Sequence, residues 1–129
     1  GLCMLDITNK KFEFSGANHS MFLLRDQELY EIKGNRMPIG FSFHENKKFV
    51  DYPGIINKDD QFYLFTDGFL DQFGGDAGKK FGKSKFSQLI KKVNHLSMQD
   101  QVKEIGKVHL KWKGDHEQVD DILVIGFKI

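Results

Sequence analysis

The sequence has a single cysteine, no long apolar run and no excess of charge of either sign. Because Cys3 has no second cysteine to pair with, no disulfide framework is possible, which favours a reducing, cytoplasmic compartment. No stretch approaches the ~18 apolar residues that a membrane-spanning helix needs, and no signal peptide is visible. With 19 Lys and Arg against 18 Asp and Glu, the net charge of +1 does not favour nucleic acid as a partner.

The sequence does have enough apolar material for a core and a regular succession of short strand-like segments. Hydrophobic residues make up 40% of the 129 residues and include 13 Phe, which suits one domain or part of one. The first third alternates apolar and polar residues between turns, which predicts an antiparallel strand meander. The predicted strands here and in the middle of the chain are Leu2–Ile7, Phe12–Phe14, Met21–Leu24, Leu29–Ile32, Lys48–Asp51 and Phe62–Phe65.

The last third is predicted to hold two amphipathic helices and a returning central strand. Ser84 is predicted to cap the first helix, and Ser97, with Asp100 following, resembles a capping box for the second. The final strand, Ile122–Phe127, is apolar at nearly every position, as expected of a strand covered on both faces. The fold class is therefore α+β, with helices layered on a sheet. The helix residues assigned to the core are Phe86, Leu89, Ile90 and Val93 in the first helix and Met98, Val102, Ile105 and Trp112 in the second.

Two aspartates flank these apolar strands at ends that can meet. Asp67 follows the strand Phe62–Phe65, and Asp120 precedes the strand Ile122–Phe127. If the two strands are antiparallel neighbours, both acids converge at one rim of a sheet, where a divalent cation relieves their mutual repulsion. Two alternatives stay open: Asp is common in turns where strands end, and Asp121 can be the inward acid instead, because adjacent strand residues face opposite sides.

Three further patterns favour ordinary loops over binding sites. The segment Ala77–Ser84 resembles a phosphate-binding loop, but no strand leads directly into it. The acids Asp67, Asp71 and Asp76 do not have the alternate-residue spacing of an EF-hand calcium loop. His19 has no persuasively placed nucleophile beside it in the sequence, so we interpret it as a loop histidine.

Five short segments stand out in order along the sequence: Phe14–Ser20, Met37–Gly40, Phe65–Phe69, Phe81–Gly82 and Gln118–Ile122. Together they are similar to motifs of the protein phosphatase 2C-like (PPM-type) family, above all its bacterial stage II sporulation protein E (SpoIIE) branch. The triplet Thr66–Gly68 resembles the family's T-D-G motif, and Asp120–Ile122 resembles its closing D-D-apolar motif. On this resemblance, which runs nearly end to end, the chain corresponds to the C-terminal part of the catalytic domain.

The resemblance implies an α/β/β/α sandwich and a metal-dependent phosphatase that acts on phosphoserine or phosphothreonine in bacterial signalling. Two Mn²⁺ or Mg²⁺ ions are expected in the complete domain, and a metal-activated water, not a catalytic side chain, is expected to attack. Asp67 and Asp120 are the expected ligands of one ion, whereas Asp121 matches a position that is not usually a ligand. The implied partner is a phosphoprotein substrate of the anti-sigma-factor antagonist type, and the implied location is the cytoplasm, including the cytoplasmic part of a larger sensor protein.

One motif of the family is missing from the sequence. The family's Asp-Gly-His-Gly motif, whose Asp bridges both metals, has no counterpart in residues 1–129. We therefore expect residues 1–129 to form a single incomplete domain that binds metal weakly and is inactive in isolation. Half a sandwich leaves a sheet uncovered, which favours self-association. The alternative is a degenerate, non-catalytic module that binds a protein partner, and the retention of both Asp67 and Asp120 argues against it.

Overall fold

The structure, a computed structural model, describes residues 1–40 and 48–129. Within these residues the chain forms nine strands and three helices, which confirms the α+β class. The strands are β1 (Leu2–Asp6), β2 (Lys11–Ser15), β3 (Ser20–Arg25), β4 (Glu28–Lys33), β5 (Tyr52–Ile55), β6 (Gln61–Phe65), β7 (Phe73–Gly74), β8 (Lys79–Lys80) and β9 (Val124–Lys128), and the helices are α1 (Asp67–Asp71), α2 (Lys83–Val93) and α3 (Met98–Lys113).

The longer strands form two sheets and not one continuous meander. The inner sheet has the strand order β4-β3-β6-β9, the outer sheet has the order β1-β2-β5, and all neighbours are antiparallel. The hairpins β1–β2 and β3–β4 follow the predicted turns but belong to different sheets. The physical reason lies in β3, where Met21, Phe22, Leu23 and Leu24 are all buried, so that both faces of this strand need cover.

The inner sheet lies between the outer sheet and the helices, so the described residues form three layers, α/β/β. Successive residues of a strand point to opposite faces, which divides the apolar side chains into two cores. The fourth layer of the expected α/β/β/α sandwich is not among residues 1–40 and 48–129, and Leu2, Met4 and Ile55 of the outer sheet are exposed. The helix-side core is Phe22, Leu24, Tyr63, Phe69, Phe81, Phe86, Leu89, Ile90, Val93 and Ile105; the core between the sheets is Phe12, Phe14, Met21, Leu23, Ile56 and Phe62.

The helices agree with the sequence in position but not in every cap or core residue. Ser97 caps α3 as predicted, because its Oγ accepts a hydrogen bond from the Asp100 backbone N–H at 3.2 Å. The predicted cap at Ser84 is wrong, since α2 begins at Lys83 and its N-cap is Gly82, two residues before Ser84, where a φ of 81° favours glycine. Val102 is 69% exposed and not in the core as predicted. No helix in the described part of the chain is long and apolar enough to cross a membrane.

Two strand predictions need correction as well. The middle strand spans Tyr52–Ile55, where it pairs with β2, and not Lys48–Asp51. The final strand, predicted to be central and covered on both faces, lies at the edge of the inner sheet. Its Ile125 is 48% exposed, because β9 has a neighbouring strand on one side only among the described residues.

Candidate metal centre

Strands β6 and β9 bring the two acid-bearing segments to one rim of the inner sheet. They are antiparallel neighbours, which meets the condition for the two acids to converge, and Phe65 at the end of β6 pairs with Val124 at the start of β9. Asp67 lies two residues beyond this pair, and Asp120 lies four residues before it. Residues 117–123, which lead into β9 and are called the acidic loop below, therefore emerge beside the start of α1.

Thr66 joins the two segments directly. Its backbone N–H donates to the carbonyl oxygen of Leu123 at 3.0 Å, and its Oγ1 accepts from the backbone N–H of Leu123 at 3.0 Å. The same hydroxyl donates to the carbonyl oxygen of Asp121 at 2.9 Å. Three hydrogen bonds therefore hold the residue before Asp67 against the acidic loop. The side chain of Thr66 makes two of these bonds instead of capping α1, although Thr66 occupies the N-cap position.

The close approach of α1 to the acidic loop explains why the residue after Asp67 is a glycine, Gly68. A Cβ at this position would meet the carbonyl oxygen of Asp121 far inside van der Waals contact and would also lie 3.0 Å from its carbonyl carbon. Only glycine therefore allows the first turn of α1 to approach the acidic loop this closely. The triplet Thr66–Gly68 thus has a structural logic: one residue bonds the loop, one carries the acid and one makes room.

The carboxylates at this rim are accessible to solvent. Asp67, Asp120 and Asp121 are all exposed. The Oδ1 atom of Asp120 accepts the backbone N–H of Asp121 at 2.7 Å, and the carbonyl oxygen of Asp120 accepts Nε2 of Gln118 at 2.9 Å. In the part of the chain that the structure describes, none of these three acids forms an ion pair. Among these residues, no cationic side chain therefore neutralises the charge of the three acids.

The donors at the rim fit a hard divalent cation but do not complete its coordination. Carboxylate and backbone oxygens are the ligands that Mg²⁺ and Mn²⁺ prefer. Within residues 1–40 and 48–129, however, no group of three or more His, Cys, Asp or Glu side chains is placed to hold a metal. The described residues therefore do not by themselves bring together the side chains of a full coordination shell.

The other patterns singled out in the sequence form ordinary local structure. Lys79 and Lys80, inside the phosphate-loop-like segment, form strand β8, so this segment does not fold as a phosphate cradle. Asp71 lies in α1 and pairs with Lys80 at 3.0 Å. His19 is half-buried beside a cavity of about 160 Å³ that Thr66 and Leu123 also line. The loop histidine therefore lies close to two of the residues that join the acid-bearing segments.

Sequence reasoning missed one buried side chain that contacts the acidic loop. Gln72, the residue after α1, is fully buried, and its Nε2 donates to the carbonyl oxygen of Glu117 at 2.9 Å. Nothing in the sequence marks it, because a glutamine next to an apolar residue is ordinary at a helix end. Helix α1 itself was also missed, since its five residues are too few to show a helical period.

Comparison with known proteins identifies the family. The family model described as Stage II sporulation protein E (SpoIIE) matches residues 1–129. The chain belongs to the SpoIIE family. Among solved structures, the chain is similar to the SiaA-PP2C domain of Pseudomonas aeruginosa, with a TM-score of 0.90 and 28% sequence identity over 98% of this chain and 50% of that one.

Two further structures share the SpoIIE-family fold at lower identity. The PP2C phosphatase domain of the cell fate determinant SpoIIE from Bacillus subtilis, with a fragment of its regulatory domain, gives a TM-score of 0.72 and 13% identity over 97% of this chain and 36% of that one. RsbX in complex with magnesium gives a TM-score of 0.60 and 16% identity over 98% of this chain and 53% of that one. At these identities the similarity shows the fold alone.

The SpoIIE-family match covers this whole chain but only part of its relatives. The chain spans 50% of the SiaA-PP2C chain and 36% of the SpoIIE chain. Among curated protein sequences, none matches it significantly. The comparisons therefore establish the fold and the family of this chain, and the solved phosphatase domains that it matches are parts of longer chains.

Proposed function

We propose that this chain is the part of a metal-dependent protein serine/threonine phosphatase domain that supplies Asp67 and Asp120 as ligands of one Mn²⁺ or Mg²⁺ ion. The observation that supports this proposal most is the close approach of Gly68 to the backbone of Asp121. This contact lies just beyond Phe65 and Val124, the last paired residues of β6 and β9 at this rim. It fixes the two acid-bearing segments side by side at an exposed rim. The SiaA-PP2C relative, at 28% identity, adds support for the phosphatase class.

The chemistry assigned to the chain's own residues is binding and orientation. When bound, the two metal ions of a complete domain supply an activated water and polarise the phosphoryl group. Asp67 and Asp120 hold one ion, and Thr66 fixes the spacing of the segments that carry them. No side chain of this chain is assigned the role of nucleophile or general acid.

Residues 1–129 are proposed to be a single incomplete domain that is inactive in isolation. Two carboxylates and water bind Mg²⁺ or Mn²⁺ weakly, because these ions take about six oxygen ligands. The family's Asp-Gly-His-Gly motif is not found in the sequence, so the ligand that bridges both ions is not supplied by these residues. We expect the parent protein, and not this chain alone, to hydrolyse phosphoproteins.

The proposed substrate is a phosphoprotein of bacterial signalling, of the anti-sigma-factor antagonist type. The proposed location of the reaction is the cytoplasm. The match of residues 1–129 to the Stage II sporulation protein E (SpoIIE) family model supports a role in signalling. A second copy of the chain is a further proposed partner. The β9 edge of the inner sheet supports it, because Leu123 and Ile125 beside this edge are 54% and 48% exposed.

The test measures Mn²⁺ binding to the purified chain by calorimetry and by the paramagnetic broadening of backbone amide signals. We expect broadening centred on Asp67 and Asp120, and at least a tenfold weaker binding in Asp67→Asn and Asp120→Asn. Asp115→Asn serves as the matched control, because Asp115 is also exposed but lies in the turn after α3. Asp121→Asn decides between the two neighbouring acids, and a loss there with Asp120→Asn unaffected would reassign the ligand.

Hydrolysis of p-nitrophenyl phosphate with Mn²⁺ tests the second half of the proposal. We expect none from this chain above the rate of buffer with Mn²⁺. Turnover that disappears in Asp67→Asn would show that residues 1–129 form a complete active site. Binding of Mn²⁺ that neither Asp67→Asn nor Asp120→Asn weakens would refute the ligand assignment and favour a non-catalytic, partner-binding module.

A further inference from the structure

Helix α1 is joined to the acidic loop at both of its ends. Before the helix, the side chain of Thr66 bonds the carbonyl oxygen of Asp121 and the backbone N–H of Leu123. After the helix, Nε2 of Gln72 bonds the carbonyl oxygen of Glu117 at 2.9 Å. The two contacts lie near opposite ends of the seven-residue loop, with Asp120 between them. A short helix that begins with one candidate ligand therefore holds, on both sides, the loop that carries the other.

The orientation of the Gln72 amide is fixed by its surroundings. Its Nε2 donates to two carbonyl oxygens, those of Glu117 at 2.9 Å and Phe73 at 3.0 Å. Turning the amide over would place Oε1 against both carbonyls, which is repulsive. In the described part of the chain Oε1 is buried and has no hydrogen-bond partner. Native proteins tolerate few such orphaned acceptors, because each one loses its hydration without compensation.

An apolar side chain would remove this orphaned acceptor, so packing alone does not account for a glutamine here. The backbone carbonyl of Gln72 makes separate contacts, accepting Nε1 of Trp112 at 3.0 Å and the backbone N–H of Phe81 at 2.9 Å. Those contacts stay in any side-chain variant. What the amide adds is the bond to the acidic loop, at the cost of one unsatisfied oxygen.

We propose that Thr66 and Gln72 form a two-point clamp that sets the position of Asp120 relative to Asp67, with Gln72 as a positioning residue. The role rests on the proposed function, since it concerns the geometry of two metal ligands. Two carboxylates without a cation between them repel each other, and the acidic loop has no regular secondary structure to resist this. The clamp keeps the loop in place before a cation binds, so that binding does not have to order it.

The clamp itself is tested without metal, by amide hydrogen exchange of the purified chain. Gln72→Met keeps the length and apolar bulk of the side chain and removes both donor bonds. We expect exchange of the Asp121 and Leu123 amides to become about tenfold faster, which corresponds to the loss of one ordinary hydrogen bond to the loop. Gln101→Met is the matched control, because Gln101 is also a buried, hydrogen-bonded glutamine but lies on α3. In the control, the loop amides should change only as much as the core amides do.

The positioning role is tested by Mn²⁺ titration of the same variants. We expect Gln72→Met to need several-fold more Mn²⁺ for half-maximal broadening at Asp67 and Asp120, and Gln101→Met to match the unmodified chain. Unchanged exchange at Asp121 and Leu123 in Gln72→Met overturns the clamp, whatever Mn²⁺ does. Faster exchange with unchanged Mn²⁺ binding overturns the positioning role. If the unmodified chain shows no Mn²⁺ broadening while exchange responds as expected, the clamp is supported and the proposed ligand assignment fails.

Discussion

Replacing Arg25 by methionine tests what holds the two sheets together at the end remote from the acidic loop. Arg25 donates from Nε to Oδ1 of Asp60 at 2.9 Å and from Nη2 to Oδ2 at 2.6 Å. Nη2 also donates to the carbonyl oxygen of Ile55 in the outer sheet at 2.6 Å. One guanidinium at the end of β3 therefore ties the carboxylate that precedes β6 to the opposite sheet. The hydrogen bond to Asp60 raises the pKa of Arg25, so the guanidinium stays charged in any ordinary buffer.

The expected loss follows from the burial of the carboxylate. Asp60 is 1% exposed, and without Arg25 its one remaining donor in the described residues is the backbone N–H of Asn57 at 2.8 Å. Removing one partner of a buried ion pair costs about 3–5 kcal/mol, because the other charge is left uncompensated. The side chain of Arg25 is 25% exposed, so water partly replaces it and the lower end of the range applies. For a domain of this size about 3 kcal/mol lowers Tm by roughly 10 °C.

Urea unfolding followed by circular dichroism measures this loss at neutral pH. The matched control is Lys107→Met, which breaks the 2.6 Å pair with Glu104 on the exposed face of α3 and should leave the midpoint unchanged. The double variant Arg25→Met with Asp60→Leu should recover part of the stability, because it no longer buries an unpaired charge. Equal midpoints for Arg25→Met and Lys107→Met would refute the reasoning.

Three shorter predictions concern the rim, a histidine and the open edge. Gly68→Ala should destabilise the chain and weaken Mn²⁺ binding, because its Cβ collides with the acidic loop; normal binding in a calorimetric titration would contradict this. Burial lowers the pKa of His109 below its ordinary 6.5, so the unfolded chain binds the proton more tightly and stability should fall as the pH drops below that value. This dependence of stability on pH should vanish in urea titrations of His109→Gln. If it persists in that variant, it arises from other groups. Ile125→Lys should abolish self-association in sedimentation velocity, whereas Leu110→Lys, on the exposed face of α3, should not; a monomeric unmodified chain at high concentration would contradict the proposed self-association.

The convergence of Asp67 and Asp120 could be predicted on the condition that β6 and β9 are antiparallel neighbours, because local chemistry marks both strands. Each is a short apolar run, and an aspartate stands where one ends and the other begins, so the two runs and their acids are visible without tertiary information. The capping box at Ser97 is likewise local, since the residues that form it are three apart. Features of this kind depend on side chains that are near neighbours in sequence, and the structure retains them.

The edge position of β9 could not be predicted, because its composition points the other way. An unbroken apolar run is typical of a strand covered on both faces, yet Ile125 is half exposed and β9 has one neighbour in the described residues. The division into two sheets is equally hidden, since a hairpin such as β3–β4 reads the same in either sheet. Which sheet a hairpin joins depends on which faces find cover, and that is a property of the whole chain.

The roles of Thr66 and Gln72 could not be predicted from the sequence either, because their contacts exist only once the register of β6 against β9 is set. As a consequence, the charge of the proposed ligands and the position of the acidic loop can be changed separately by substitution. Asp120→Asn keeps the Oδ1 atom that accepts the backbone N–H of Asp121, so it removes charge and leaves the loop in place. Gln72→Met keeps every charge and loosens the loop. If both variants weaken Mn²⁺ binding but only Gln72→Met speeds amide exchange, then geometry and charge contribute independently, and the rim is preformed before a cation arrives.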